Sequence, residues 1–185
     1  MVVSKKIAII GSGIFGLAIA EQLSSKKYHI DIYEKEKKIL LGASKNNLNR
    51  IHQGFHYPRS NKTIKQSSKN YLKFIKKYKK FIKKKQDSFY LIANKNSKTN
   101  LNKFIRITKK IPYFSKQIKL NKFPIKIKNV DGGIKTNELI YDWNLMEKYF
   151  LKIIKKNNLN LLFNTKVIKF NSKNILYSVN LNNKK

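Results

Sequence analysis

The sequence predicts an α/β fold built on a parallel sheet, and three features near its start carry that prediction. Residues 6–10, Lys-Ile-Ala-Ile-Ile, form a short β-branched run that stops at glycine, the pattern of a strand buried on both faces. From Ile14 to Leu23 apolar residues follow at helical spacing. Residues 29–33, His-Ile-Asp-Ile-Tyr, then give a second β-branched run. Strand, helix and strand in quick succession form the unit from which parallel sheets are assembled.

The turn between the first strand and the helix is more specific. Gly11-Ser12-Gly13-Ile14-Phe15-Gly16 fits the spacing G-x-G-x-x-G. Gly11 permits a tight turn out of the strand, Gly13 lets the backbone approach a pyrophosphate, and Gly16 lets the helix lie close to the sheet. A diphosphate is favoured there because free N–H groups and the helix dipole both attract negative charge. Glu34, followed by Lys35, closes the second strand at the distance where an acid accepts hydrogen bonds from a ribose. Glu36, two residues on, reads as solvated. Strand, glycines, helix, strand and acid together make a Rossmann-like βαβ dinucleotide motif. The run 7–20 also has the outline of a secretion signal, with Lys5 and Lys6 before it and Ala18-Ile19-Ala20 at its end. Its regular glycines, and the strand that follows, fit the nucleotide fold instead, and a membrane span needs about 20 apolar residues.

Composition narrows the function classes. The net charge of +33 raises nucleic acid or an anionic membrane as partners. Yet the only arginines are Arg50, Arg59 and Arg106, and the lysines are scattered through a chain rich in Asn and Ile. Specific phosphate and base readers lean on arginine's planar fork. The pattern therefore reads as an AT-rich coding bias, and no specific nucleic-acid partner is expected. With no cysteine, disulfides, thiolate metal sites and cysteine nucleophiles are excluded, and a reducing, cytoplasmic setting fits. Nine acids and no H-E-x-x-H pattern give no metal site.

The stretch Ala43-Ser44-Lys45-Asn46-Asn47-Leu48-Asn49-Arg50-Ile51-His52-Gln53-Gly54 resembles the A-S-x-x-N-x-G-x-I-H-x-G segment of FAD-dependent oxidoreductases of the D-amino-acid-oxidase type. The resemblance implies FAD as the cofactor. By it, Ala43 and Ser44 lie at the diphosphate, Asn47 holds the loop, and Arg50, Ile51 and His52 run on towards Gly54 beside the flavin ring. Asn49 stands where that family has glycine, and asparagine is the residue next most able to take a positive φ. The following Gly54-Phe55-His56-Tyr57-Pro58-Arg59-Ser60 is similar to a variant found in flavoproteins linked to sugar or surface-polysaccharide metabolism. Position makes Arg50, His52, His56, Tyr57 and Arg59 the catalytic or substrate-orienting candidates. The two histidines read equally well as packing and hydrogen-bonding residues.

Further along, Ile64, Tyr71, Phe74, Ile75, Tyr78, Phe81 and Ile82 recur at helical spacing, predicting an amphipathic helix over 60–85 with a lysine face in solvent. A strand over 88–93 and a short helix over 101–111 follow. Gly132-Gly133 reads as a turn, 134–141 as a strand, and Asp142 as the cap of a helix over 143–156. Residues 159–163, 165–170 and 175–181 read as strands. Asn164-Thr165-Lys166-Val167 resembles the family's N-T-x-V element, which implies that the Val167 backbone touches the adenine.

The expected architecture is thus a Rossmann-like FAD-binding fold with part of an α+β substrate domain. Its pieces are a βαβ core and flavin loop over 1–60, a partial substrate domain over 61–141, and a return to the FAD domain over 142–185. The later elements of the family's fold have no counterpart, so a complementing C-terminal half is an expected partner, besides a small-molecule substrate. The reaction implied is hydride transfer from a carbon bearing an amine or hydroxyl to flavin N5. The rival reading is a non-catalytic basic module that binds nucleotides or polyanions.

Overall fold

The computed structural model of the 185-residue chain describes residues 5–26, 28–46, 49–123, 125–171, 173 and 176–183. It divides into two compact units, one of Met1–Asn49 with Trp143–Lys185 and the other of Arg50–Asp142. Residues 50–60, grouped by sequence with the first piece, therefore fold with the second.

The first unit holds the parallel sheet. Strand β1 (Lys6–Ile10) pairs in register with β2 (His29–Tyr33), Ile7 opposite Ile30 and Ile9 opposite Ile32. Helix α1 (Ile14–Leu23) links them. Ile9, Ala20, Ile30 and Ile32 form the buried core, because alternate strand residues and one helix face point inward together. Each large aliphatic side chain withdrawn from water in this way contributes about 1.5–3 kcal/mol. Further strands are numbered in chain order, with β7 (Asn160–Leu162) pairing parallel to β2 on the side away from β1. Helix α4 (Trp143–Lys156) precedes β7 and buries Met146 and Phe150. The Tyr149 hydroxyl of α4 donates a hydrogen bond to Glu21 of α1. A hairpin of β8 (Thr165–Phe170) and β9 (Leu176–Asn180) completes the unit, and among the described residues β1 has a strand partner on one side only.

In the second unit, β6 (Val130–Tyr141) is the central strand. It runs antiparallel to β4 (Ile82–Ala93) on one side, and to β3 (Arg50–Ile51) and β5 (Ser115–Gln117) on the other. Helices α2 (Asn61–Tyr78) and α3 (Leu101–Thr108) cover a core of Phe55, Ile92, Phe104, Ile111 and Ile134. Ser60 caps α2 by accepting from the Thr63 N–H at 3.2 Å, and Asn100 caps α3 through Lys103 N at 2.8 Å.

Helix α2 and the glycine pair differ from the sequence reading. Helix α2 ends at Tyr78, and after one 3₁₀ turn the chain is already strand β4 at Ile82. Phe81 and Ile82 keep helical spacing but serve that turn and strand. The glycine pair is no turn, since Gly132 and Gly133 lie inside β6. A β-carbon on Gly133 would stand 2.1 Å from the Tyr90 carbonyl oxygen of β4, and one on Gly132 2.8 Å from Leu101 Cδ2. Close approach of the β4 backbone requires glycine at 133, while at 132, beside a register shift between Ile92 and Ala93, a φ of +153° does.

Candidate functional site

In the first unit the glycine turn leaves β1 with Gly11 at φ +91°, and the Gly11 N–H donates to the Tyr33 carbonyl at 2.8 Å. A β-carbon on Gly16 would lie 2.1 Å from the Gly11 oxygen and 3.3 Å from Ile9 Cγ2, so only glycine lets α1 start this close to β1. Space opens in front of the turn. A β-carbon on Gly11 would meet nothing within 4 Å, and on Gly13 the nearest atom is Ser44 Oγ at 3.6 Å.

Glu34 is buried at the end of β2 and organises the turn. Its Oε2 accepts from Ser12 N at 2.7 Å and Ser12 Oγ at 2.6 Å, while Oε1 accepts from Glu36 N at 2.9 Å. The Ser12 side chain thus points at Glu34. With two acceptor positions per oxygen, Oε1 keeps one for a further donor. Ser44 accepts from the Ile14 N–H at 3.1 Å, and the Leu40 N–H donates to the Ser12 carbonyl at 3.0 Å, pinning the 40–46 loop that carries Ala43 against the turn. Phe15 is 84% exposed. Asn47 lies outside the described residues.

The chain after β7 crosses the same end of the sheet. Thr165 N donates to the Glu34 carbonyl at 2.8 Å, and Asn164 N to that of Glu36 at 3.2 Å. These bonds bring Val167 to a cleft of about 390 Å³ that Gly11, Gly13, Glu34 and Lys35 also line. A concave space with bare glycine backbone, a helix N-terminus at one end and a carboxylate at the other offers what an adenosine diphosphate group needs. The residues present fit the ADP portion of FAD.

The second unit gathers other predicted residues around one that sequence reasoning missed. Glu138 on β6 is fully buried. Its Oε1 accepts from Gln53 N at 3.0 Å and its Oε2 from the Tyr90 hydroxyl at 2.8 Å. Arg50 Nη1 stands 3.7 Å from Oε2, and His52 Nδ1 3.8 Å from Oε1 and 3.3 Å from the Tyr90 oxygen. Burial opposes ionisation of Glu138, but the His52 ring, the Gln53 N–H and the Tyr90 hydroxyl outweigh it and hold the carboxyl below the usual range. Burial, then the negative Glu138, push the Tyr90 phenol well above its ordinary value. The Arg50 guanidinium lies over the Tyr90 ring, 5.5 Å from its centroid. A visible signal existed: Ile134, Thr136 and Glu138 share one strand parity, which puts an acid on the inward face.

His56 stacks on His52 with centroids 5.1 Å apart and meets Tyr57 edge-on at 5.0 Å. Desolvation among these rings, then the neighbouring His52 and Arg50, lower the His56 pKa. Ile51 is buried and pairs with Leu139, so its contribution here is to packing. Asn49 has φ +55°, as a glycine-like position requires. Arg59 does not join this cluster and faces a separate cleft of the same unit. Among the described residues no group of three or more His, Cys, Asp or Glu could hold a metal ion, and no helix is long and apolar enough to cross a membrane.

Comparison with known proteins shows the family and the fold. Residues 6–182 match the family model DAO, FAD dependent oxidoreductase. The FAD-dependent monooxygenase FPY4 of Fusarium mangiferae is 38% identical over 69 residues, 37% of this chain and 19% of that protein. Among solved structures, glycine oxidase from Geobacillus kaustophilus superposes with a TM-score of 0.70 at 13% identity, covering 95% of this chain and 52% of that one. L-alpha-glycerophosphate oxidase from Mycoplasma pneumoniae, with FAD bound, gives 0.65 at 17% identity over 98% and 50%. The chain spans about half the length of these solved structures. On the family match over residues 6–182, the chain belongs to the FAD dependent oxidoreductase family.

Proposed function

We propose that the cleft of the first unit holds the adenosine diphosphate portion of FAD, and that the complete enzyme oxidises a carbon bearing an amine or a hydroxyl. The observation that carries this reading is the convergence of Gly11, Gly13, Glu34 and Val167 on one cleft at the ends of β1 and β2. The α1 N-terminus and Ser44 attract the diphosphate, the free acceptor position of Glu34 takes a ribose hydroxyl, and the Val167 backbone faces the adenine. A carboxylate at that place opposes a ribose 2′-phosphate. FAD, when bound, accepts a hydride at flavin N5.

The substrate class rests on the relatives' names: glycine oxidase, L-proline dehydrogenase, L-amino acid deaminase and L-alpha-glycerophosphate oxidase all concern an amine- or hydroxyl-bearing carbon. Arg50, His52, His56 and Tyr57 are the chain's candidates for orienting such a substrate, whereas Arg59 faces a separate cleft. Glu138 fixes Arg50 and His52 from behind. With its pKa lowered, the His56 imidazole is neutral near pH 7 and free to accept a proton. The remainder of the family fold supplies the other walls of the substrate site.

Titrating FAD into the purified chain at about 0.3 M salt, read by quenching of flavin fluorescence, tests the reading. Weak but saturable uptake that Glu34→Ala reduces at least tenfold is expected. A folded chain that ignores FAD, or takes it up equally well without Glu34, overturns it. Uptake of any polyanion that collapses with salt points to the basic binding module instead.

A further inference from the structure

In the second unit, Arg59, Lys103, Arg106 and Lys110 line one cleft of about 520 Å³, and no acid appears among the described residues of its wall. Lys103, Arg106 and Lys110 lie along one side of α3 and the turn after it, at spacings of three and four, so their side chains share a face. Arg59 reaches the cleft from the turn that leads into α2. Pro58 and Ile107 give it an apolar floor.

A basic surface is unremarkable in a chain of this charge. The choice of residue is what singles this cleft out. Lysine outnumbers arginine heavily here, yet two of the three arginines, Arg59 and Arg106, face the same cavity. The third, Arg50, is engaged with Glu138 and Tyr90. Neither Arg59 nor Arg106 has a carboxylate partner among the described residues, so both forks are available. Guanidinium binds phosphate through two parallel N–H···O bonds, which lysine's point charge cannot do. The volume falls in the range of small-molecule sites, about 300–1,000 Å³.

From this we infer that the cleft is an anion site for a small phosphorylated molecule, separate from the diphosphate cradle of the glycine turn. Arg59 and Arg106 grip the phosphate, Lys103 and Lys110 balance its second charge, and Pro58 with Ile107 pack against the carbon skeleton.

Residue-resolved NMR of the amide-labelled chain during titration with inorganic phosphate, at about 0.3 M sodium chloride, tests this. Saturable shifts confined to residues 58–61 and 103–110 are expected. Arg59→Lys and Arg106→Lys, exposed substitutions that keep the charge, should each weaken binding about tenfold. Lys69→Ala, on the solvent face of α2, should leave it unchanged. Shifts spread over the lysine surface, shifts confined to residues 11–16, or arginine variants that bind like the parent would each overturn the assignment. A DNA oligonucleotide added at the same salt separates the sources: competition with phosphate on these residues alone means that a backbone phosphate is accepted too, and the small-molecule assignment fails.

Discussion

The Tyr90 hydroxyl donates a 2.8 Å hydrogen bond to Glu138, joining the two long strands of the second unit through a fully buried carboxylate. A carboxylate so placed is stable only while its donors are present. Glu138→Ala leaves the Gln53 N–H unpaired, takes from the Tyr90 hydroxyl its carboxylate acceptor and from Arg50 its counter-charge, and is expected to cost about 3–5 kcal/mol. Tyr90→Phe removes one donor and is expected to cost about 1–3 kcal/mol. Urea denaturation of the two variants checks both the order and the sizes.

The same cluster sets the pH response. The folded Glu138 pKa is depressed, so its stabilisation is full above the ordinary carboxylate range and is lost as pH falls through the folded value. The depressed His56 acts in the same direction, destabilising the fold as pH drops below the ordinary histidine range. Tyr90 acts oppositely: its raised pKa gives stability that is present below the ordinary phenol value and is lost at higher pH. Thermal melts should therefore weaken on both sides of neutrality, and Tyr90→Phe should lessen the alkaline loss while also shrinking the acid limb, because it removes one of the donors that hold the Glu138 carboxyl down.

Three glycines give a graded test of backbone crowding. Gly16→Ala and Gly133→Ala each place a β-carbon 2.1 Å from a backbone oxygen, so neighbouring elements must move apart. A loss of about 1–3 kcal/mol is expected for each. Gly42→Ala meets nothing within 4 Å and should stay within about 0.5 kcal/mol of the parent. Chemical denaturation ranks them. Equal losses at all three would show that chain flexibility, not crowding, sets the cost.

Much of the first unit was legible because its signals are local. The glycine spacing, the apolar runs and Glu34 each state their requirement within a few residues, and the bounds of α1, β1 and β2 follow. Less legible were features decided across the sheet. Gly133 reads as a turn residue until β4 is laid beside it, and Phe81 keeps helical spacing although the chain has left the helix. Strand parity puts Glu138 on the inward face, but its partners Gln53 and Tyr90 are distant in sequence, and only strand pairing brings them together. The five candidate residues at 50–59 read as one group because they are close along the chain. The fold divides them, with Arg50 and His52 on Glu138 and Arg59 in its own cleft.

The one-sided pairing of β1 has a colloidal consequence. Among the described residues no strand pairs with its other edge, along an apolar strand whose Ile10 is 56% exposed, which makes that edge a template on which another strand can add. Opposing this is the repulsion between molecules that each carry +33 charges. Salt shortens the reach of that repulsion to about 10 Å at 0.1 M and about 3 Å at 1 M. The particle size seen by light scattering should therefore grow as salt rises, the reverse of a protein held together by ion pairs. Ala8→Lys, which puts a charge in the middle of the edge, should keep the chain monomeric at salt concentrations where the parent associates.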